Sequence, residues 1–507
     1  MPHVSTPSAK STETTTTSGF AVPDLLRMRV SEDADRTVMW VDGAATMTYA
    51  DWNARSDALA HGLLDTGAAR GDVVALLFGG MDWVDYAVAY MGILKAGCTA
   101  IHLNDTMPKA ETARRLAQCR PRGMIRGSRT APPDAPGCWV RTVAALEAGE
   151  QTPVDVRVGP EDISDLLYSS GTTGDSKPVR VPHGNLTFGR GPEAFAQFGD
   201  PRPLIVPMQL GTTASVTTTN VALSLRATLI ATRPGDVERM GELIAEHGVG
   251  SVMVNPMIAA RMVAAKIHER YDLSSVHTLA SAAAAIAPAL ADRLLAMFPG
   301  ARLNSSYTEV EAVPGVVVST YDPARPLSVG RPTPSTEVRV VDEHDVPVPD
   351  GDLGRIQLRC AAPRRRYLHN HQPPEDDWTR TGDLGYIGED GDLYLFDRAE
   401  DAIHTPTEIL STIALEAAVY EHPAVLEAAA FGVPDGSGGQ QVAAAVVLAS
   451  DGTLDGLISF LERRLPPHQV PRQIELLPEL PFSPNGKVRK RVLRDRLCET
   501  AARPGRP

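Results

Sequence analysis

The 507-residue chain is expected to be an α/β protein, with a large N-terminal region of doubly wound sheet and a β-rich subdomain, followed by a small α+β domain at the C-terminus. Three observations lead there. Helical patterns alternate with short apolar runs between residues 47 and 100 and again between 227 and 268, as in a largely parallel sheet with helices on its faces. After Ser328 the texture changes to strands separated by turn residues. Beyond about residue 400 an independent helix and strand pattern begins, in a chain already longer than one hydrophobic core normally supports.

Taken in order, residues 1–19 are rich in Ser and Thr, lack the apolar stretch of a signal peptide, and are expected to form a disordered tail. An amphipathic helix is expected over 49–66, a buried strand over 73–78 and a second helix over 83–96. The alternation resumes with a strand at 227–231, a helix at 242–247, a strand at 251–255 and a helix at 258–268. The runs 337–341, 346–351 and 355–359 read as strands and turns, and 388–392 as a turn leading into a strand at 393–398. The last part combines a helix near 411–421, strands at 425–433 and 441–448, and a helix at 457–464. The natural division is 20–399 and 400–507.

Composition narrows the function. A formal net charge of −13 argues against a nucleic-acid binder, which needs a basic face to neutralise phosphates, and favours a small-molecule substrate. The five cysteines show no Cys-x-x-Cys spacing, so free thiols in a reducing cytoplasm are expected rather than a zinc site or disulfide framework. The most apolar stretch, 279–298, is interrupted by Asp292 and Arg293, so no membrane span is expected.

The strongest local signal runs from Leu166 to Lys177. A strand passes into Ser170, Gly171, Thr172, Thr173 and Gly174, small and hydroxyl residues whose backbone amides and side chains can approach phosphate oxygens, and Lys177 adds positive charge. The spacing differs from the Walker loop, which puts four residues between its first glycine and the Gly-Lys pair.

This run resembles the signature of the adenylate-forming superfamily of acyl- and aryl-CoA synthetases, peptide-synthetase adenylation domains and luciferases. The resemblance continues in order through Thr48–Asn53, Gly92–Gly97, Thr308-Glu309, Ser328–Pro332, Arg380–Gly385, Asp397-Arg398 and Pro484–Lys487. It implies an ATP-dependent, AMP-forming biosynthetic ligase with a large N-terminal domain, a small mobile C-terminal domain and a site between them. ATP and Mg2+ are the implied cofactors, with CoA possible as acceptor. Glu309 matches the magnesium-binding glutamate, and a hard dication wants such an oxygen ligand. Asp383 matches the carboxylate that accepts the ribose hydroxyls, and Arg398 an arginine near ribose and phosphate. Glu400 stands at the hinge. Lys487 is the expected catalytic residue, with Thr308 beside it, because an ammonium can follow the charge that develops as pyrophosphate leaves. Arg489, Lys490 and Arg491 are expected to form a solvated basic face. His183 matches a family histidine, and its role stays open between site and core.

Departures from the family pattern bear on the substrate. Pro178 replaces a glycine after Lys177, which fixes φ and removes a donor. Ser305-Ser306 replaces a Tyr-Gly pair, removing an aromatic that stacks on adenine. Ala282 and Ala283 stand in the Gly-Gly-Ala-Pro segment lining the acid channel, where added methyls favour a short acid. The loop through Leu210 lacks the aspartate of amino-acid-activating relatives. Pro406 and Thr407 occupy positions where CoA-forming members keep glycine for the pantetheine arm, and Ala414 replaces a helix glutamate. Adenylation of a small acid, with transfer in the manner of an acyl-CoA synthetase, is the leading expectation. Transfer to an amine, including the diazotising relatives that activate nitrite, is the alternative. A catalytically weak adenylate-binding or carrier-interacting protein is the alternative of another class.

Overall fold

A computed structural model describes residues 19–147, 149–169, 176–191, 201–281, 283–369, 376–483 and 486–502. Five of the expected phosphate-loop residues, Ser170 to Gly174, lie outside the described residues, as do Ala282 and most of the N-terminal tail.

The helix Trp83–Lys95 explains much of the large region. Every residue in it but Asp85 is buried, and a helix apolar on all sides must be enclosed by other layers. On one side lies a seven-stranded sheet whose centre pairs Val73–Phe78 in parallel with both Thr99–Asn104 and Gly123–Arg126. Strands buried on both faces give the near-continuous apolar runs seen in the sequence. At one edge Ile163–Ser169 and Lys177–Pro182 pair antiparallel, so the phosphate-loop segment connects two adjacent strands.

The second sheet has thirteen strands. One half is mainly parallel and runs from Thr37–Val41 through Leu229–Ala231, Leu204–Val206, Ser251–Val254 and Thr278–Ser281 to Arg302–Tyr307. At Arg302–Tyr307 the pairing turns antiparallel, and the β-rich stretch after Ser328 continues the same sheet through Ser328–Pro332, Leu393–Arg398, Thr379–Ile387 and Gly354–Cys360. The reversal matters for the site. The chain leaves Tyr307 directly into Thr308 and Glu309, while register pairs Asp383 with Arg398 on neighbouring strands.

The small domain begins with a hairpin, Ile403–His404 and Ile409–Leu410. The helix Thr412–Tyr420 follows, started by Ser411, whose hydroxyl accepts from the Ala414 amide at 3.0 Å. A three-stranded sheet of Val425–Pro434, Gln440–Leu448 and Gln473–Leu476 carries the helices Leu454–Arg464 and Lys490–Ala502. One buried apolar cluster joins Ile258, Met262, Leu290 and Leu294 of the large region to Val419, Val425 and Leu461 of the small one. Arg293, on the helix Pro288–Met297, donates to the carbonyls of Tyr420, His422 and Val425, capping the end of the helix Thr412–Tyr420. No helix among the described residues is long and apolar enough to cross a membrane.

Candidate active site

Five ionic side chains, from four separate stretches of the sequence, meet where the large sheet faces the small domain. Arg398 is the centre. Its Nη2 lies 3.0 Å from Glu309 Oε1, its Nε 3.7 Å from Asp383 Oδ1 and its Nη1 3.7 Å from Glu400 Oε1. Lys487 enters from the small domain, and its electrostatic neighbours are Arg398, Glu309, Asp383 and Asp401. Burial and the Arg398 charge lower the Lys487 pKa, and the carboxylates partly restore it. Burial pushes the Glu309 carboxyl up to about 7 against the pull of Arg398 and Lys487. Asp383 is also raised by burial.

The backbone around these groups is fixed. Thr308 Oγ1 donates to the Gly315 carbonyl at 2.6 Å and ties down the turn bearing Glu309. Underneath, Arg365 donates to the Val310 carbonyl and to Asn185 Oδ1, both at 2.8 Å, while the Asn185 amide donates to the carbonyls of Val313 and Pro363. On the Lys487 side, Gly486 has φ +78 and a Cβ there would lie 2.3 Å from Asn255 Nδ2, so only glycine brings this loop so close to the large domain. Ser483 and Lys487 close the loop, the Ser483 amide donating to the Lys487 carbonyl at 2.8 Å and the Lys487 amide to Ser483 Oγ at 3.1 Å.

Asp383 is 4% exposed. Tyr307 OH donates to its Oδ2 at 2.8 Å, whereas its Oδ1 is buried without a hydrogen-bond partner. A buried carboxylate oxygen left this way calls for a donor from outside the chain.

The sequence of the large region matches the AMP-binding enzyme family model over residues 26–368, and residues 414–487 match the model for the C-terminal domain of such enzymes. The chain belongs to the AMP-binding enzyme family. This AMP-binding enzyme is an ATP-dependent, AMP-forming ligase. It is 29% identical over 470 residues to a feruloyl-CoA synthase of an Amycolatopsis species, covering 90% of this chain and 95% of the relative. Its fold is similar to that of an anthranilate CoA ligase solved with anthranoyl-AMP, with a TM-score of 0.83, 22% identity, and coverage of 96% of this chain and 98% of the other. It is also similar to that of an amide bond synthetase from Marinactinospora thermotolerans, with a TM-score of 0.75, 23% identity, and coverage of 94% and 99%.

Other residues singled out in the sequence occupy varied places in this AMP-binding enzyme. Lys177 is exposed at the start of its strand, with its ammonium 5.7 Å from the centroid of the Tyr367 ring. The Tyr367 hydroxyl in turn donates to Glu311 at 2.6 Å. His183 is buried, its Nδ1 accepts from the Val22 amide at 3.2 Å, and burial lowers its pKa to about 4, so it is a neutral core residue holding the helix Val22–Asp33. Leu210 is fully buried in the main core. Ala283 is exposed and sits at φ +74, a glycine-like conformation. Pro406 and Thr407 are exposed at the tip of the hairpin.

One expectation fails at Lys490, which does not belong to a solvated basic face. Its ammonium lies 2.6 Å from Thr412 Oγ1 and 2.8 Å from Glu416, because the helix it begins and the helix Thr412–Tyr420 both pack against the strand Val425–Pro434. The carboxylate that helix supplies is thus Glu416, two positions beyond Ala414.

Sequence reasoning missed three contributors: Tyr307, Asn255, and the Asn185–Arg365 pair. Tyr307 directly follows the Ser305-Ser306 pair and belongs to no motif that marks it as a partner of Asp383. An Arg-Arg-Arg run at 364–366 signals exposed charge, and nothing local marks its middle member as buried.

Proposed function

We propose that the protein activates a small acid by adenylation and passes the acyl group to an acceptor in the manner of an acyl-CoA synthetase. The observation carrying this is the meeting of Asp383, Glu309 and Arg398 from the large domain with Lys487 from the small one, around a carboxylate oxygen that lacks a donor. Asp383 Oδ1 accepts a ribose hydroxyl of ATP and fixes the nucleotide. Arg398 and Lys487 face the phosphates. An oxygen of the acid's carboxylate attacks the α-phosphorus, the bond to the bridging oxygen breaks, and pyrophosphate departs with the electron pair. Lys487 stabilises the growing negative charge, and positioning plus charge neutralisation account for the rate. A magnesium ion supplies further charge neutralisation on the phosphates. Glu309 fits it, as a single hard oxygen ligand whose Oε2 takes no hydrogen bond among the described residues.

The second reading concerns the acceptor and takes an amine or another compact nucleophile in place of CoA, nitrite-derived diazotisation included. The hairpin tip favours it. Pro406 lies against Gly439, where an added Cβ would be 3.1 Å from its Cδ, and Thr405 closes the turn with hydrogen bonds to and from Glu408. A pantetheine arm passing this backbone meets a fixed ring and a β-branched side chain. Pyrophosphate release with short aliphatic acids, aryl acids and nitrite tests adenylation. AMP release with and without CoA or an aromatic amine separates the acceptors, and no pyrophosphate with any acid would refute the adenylation reading.

A further inference from the structure

Asp383 meets its surroundings unequally. The Tyr307 hydroxyl covers Oδ2 at 2.8 Å, and only Oδ1 stands without a donor. Tyr307 ends the strand Arg302–Tyr307, where it pairs in register with Val317, and its ring packs on the cluster containing Val317, Ile356, Leu358 and Leu393. The hydroxyl is therefore delivered by a ring seated in a core and by a backbone in a sheet. Asp383 is equally fixed, its own amide donating to Thr381 Oγ1 at 3.2 Å on a strand bonded to both neighbours.

We infer that Tyr307 substitutes permanently for one of the two ribose hydroxyls at Asp383, so that this enzyme reads a single ribose hydroxyl of its nucleotide and accepts a deoxynucleotide lacking the other. The inference rests on the assignment of Asp383 to the ribose. An ionised carboxylate has acceptor sites on both oxygens, and a nucleotide diol would ordinarily use both. Each carboxylate oxygen has two acceptor sites; Tyr307 takes one on Oδ2, so a ribose hydroxyl there must share that oxygen and gains less, whereas one at Oδ1 meets an oxygen with no hydrogen bond of its own. Tyr307 is thus a specificity-determining residue, and the discrimination it sets is against the ribose rather than against the acid.

The test measures binding of ATP, 2′-deoxy-ATP and 3′-deoxy-ATP to the full chain and to Tyr307→Phe. In the unmodified protein one deoxynucleotide binds within about twofold of ATP, and the other binds at least about tenfold more weakly, the scale of one hydrogen bond to a charged group. In Tyr307→Phe, Oδ2 is released, and the deoxynucleotide that was tolerated also loses about tenfold relative to ATP. Equal losses for both deoxynucleotides in the unmodified protein would overturn the inference, as would an unchanged pattern in Tyr307→Phe. The first comparison needs no variant and so does not depend on how Tyr307→Phe folds. Asp383→Ala separates the two levels. If it leaves ATP binding intact, the ribose assignment itself falls. If it abolishes ATP binding while both hydroxyls matter equally, only the role of Tyr307 falls.

Discussion

The small domain presents two loops built on different principles, the one carrying Lys487 and the hairpin tip of Thr405 to Glu408. The Lys487 loop is docked. Gly486 sits against Asn255, the Ser483 amide donates to the Lys487 carbonyl while the Lys487 amide donates to Ser483 Oγ, and the ammonium has Arg398, Glu309 and Asp383 as its charged neighbours. The hairpin tip is closed on itself through Thr405 and leaves Pro406, Thr407 and Glu408 exposed. A loop held against Asn255, with its ammonium facing Glu309 and Asp383, suits the arrangement that makes the adenylate. A loop satisfied internally works equally well in any arrangement, which suits a part in the second step.

Replacing the docked side chain gives the sharpest contrast. Lys487→Ala is expected to lower pyrophosphate release by about 10² to 10³, the scale for removing one electrostatic donor from a reacting centre. ATP binding should persist, because Asp383 and Arg398 are untouched, and the melting temperature should hold. Pyrophosphate release near the unmodified rate in Lys487→Ala would remove the lysine from the chemistry.

Docking itself is the next target. Gly486→Ala puts a Cβ 2.3 Å from Asn255 Nδ2 at φ +78, so the loop must retreat from the large domain. Left-handed backbone alone costs an alanine about 1–2 kcal/mol, so adenylation should fall by about tenfold. The same substitution should leave AMP release from a preformed adenylate within about twofold, measured in a single turnover. Equal loss in both steps would mean that the docked loop serves both, and the contrast with the hairpin would collapse.

The hairpin should behave in reverse. Pro406→Gly combined with Thr407→Gly is expected to keep adenylation within about twofold and to raise AMP release with CoA several-fold, because a fixed ring and a branched side chain leave the path. Single-turnover assays resolve the two steps. Rapid CoA transfer by the unmodified protein would show that the hairpin never obstructed it.

The same contrast explains which residues are legible in the amino-acid sequence. Glu309, Asp383, Arg398 and Lys487 each sit in a short run whose residue types suit its chemistry. The alternation of helices and apolar strands likewise reveals the layers, since a strand buried on both faces has no polar alternative. Contributors that act through tertiary contact leave no such trace. Asn255 reads as the last residue of a strand; in the fold it caps the next helix, its side chain accepting from the Ile258 amide at 2.9 Å, and its amide also sets how closely Gly486 can approach. Lys490 reads as surface charge in a basic run until the fold supplies Glu416 from a helix more than seventy residues earlier. Tyr307 follows two serines that mark only the loss of an aromatic, and its hydroxyl reaches Asp383 from a strand that is not its neighbour in the sheet, a contact only the fold supplies.

The smallest effect is expected away from both loops, at Ala283, whose methyl the sequence pattern places against the acid channel. Its backbone adds a second consequence. At φ +74 an alanine is strained by about 1–2 kcal/mol, and glycine relieves that while gaining unfolded-state freedom worth roughly half to all of it. Ala283→Gly should therefore change stability by less than about 1 kcal/mol, read as a melting shift of a few degrees at most. Acid preference is a separate quantity. A methylene in a pocket is worth about 1–3 kcal/mol, and one methyl in an exposed segment should act at the low end, so kcat/KM for an acid longer by one carbon should rise about fivefold relative to the shorter acid. Strain relief alone moves the melting temperature and leaves that ratio where it was, because stabilising the backbone affects both acids alike. A shifted ratio therefore marks the methyl as part of the channel wall, and an unchanged ratio with a shifted melting temperature would show that Ala283 matters only to its own backbone.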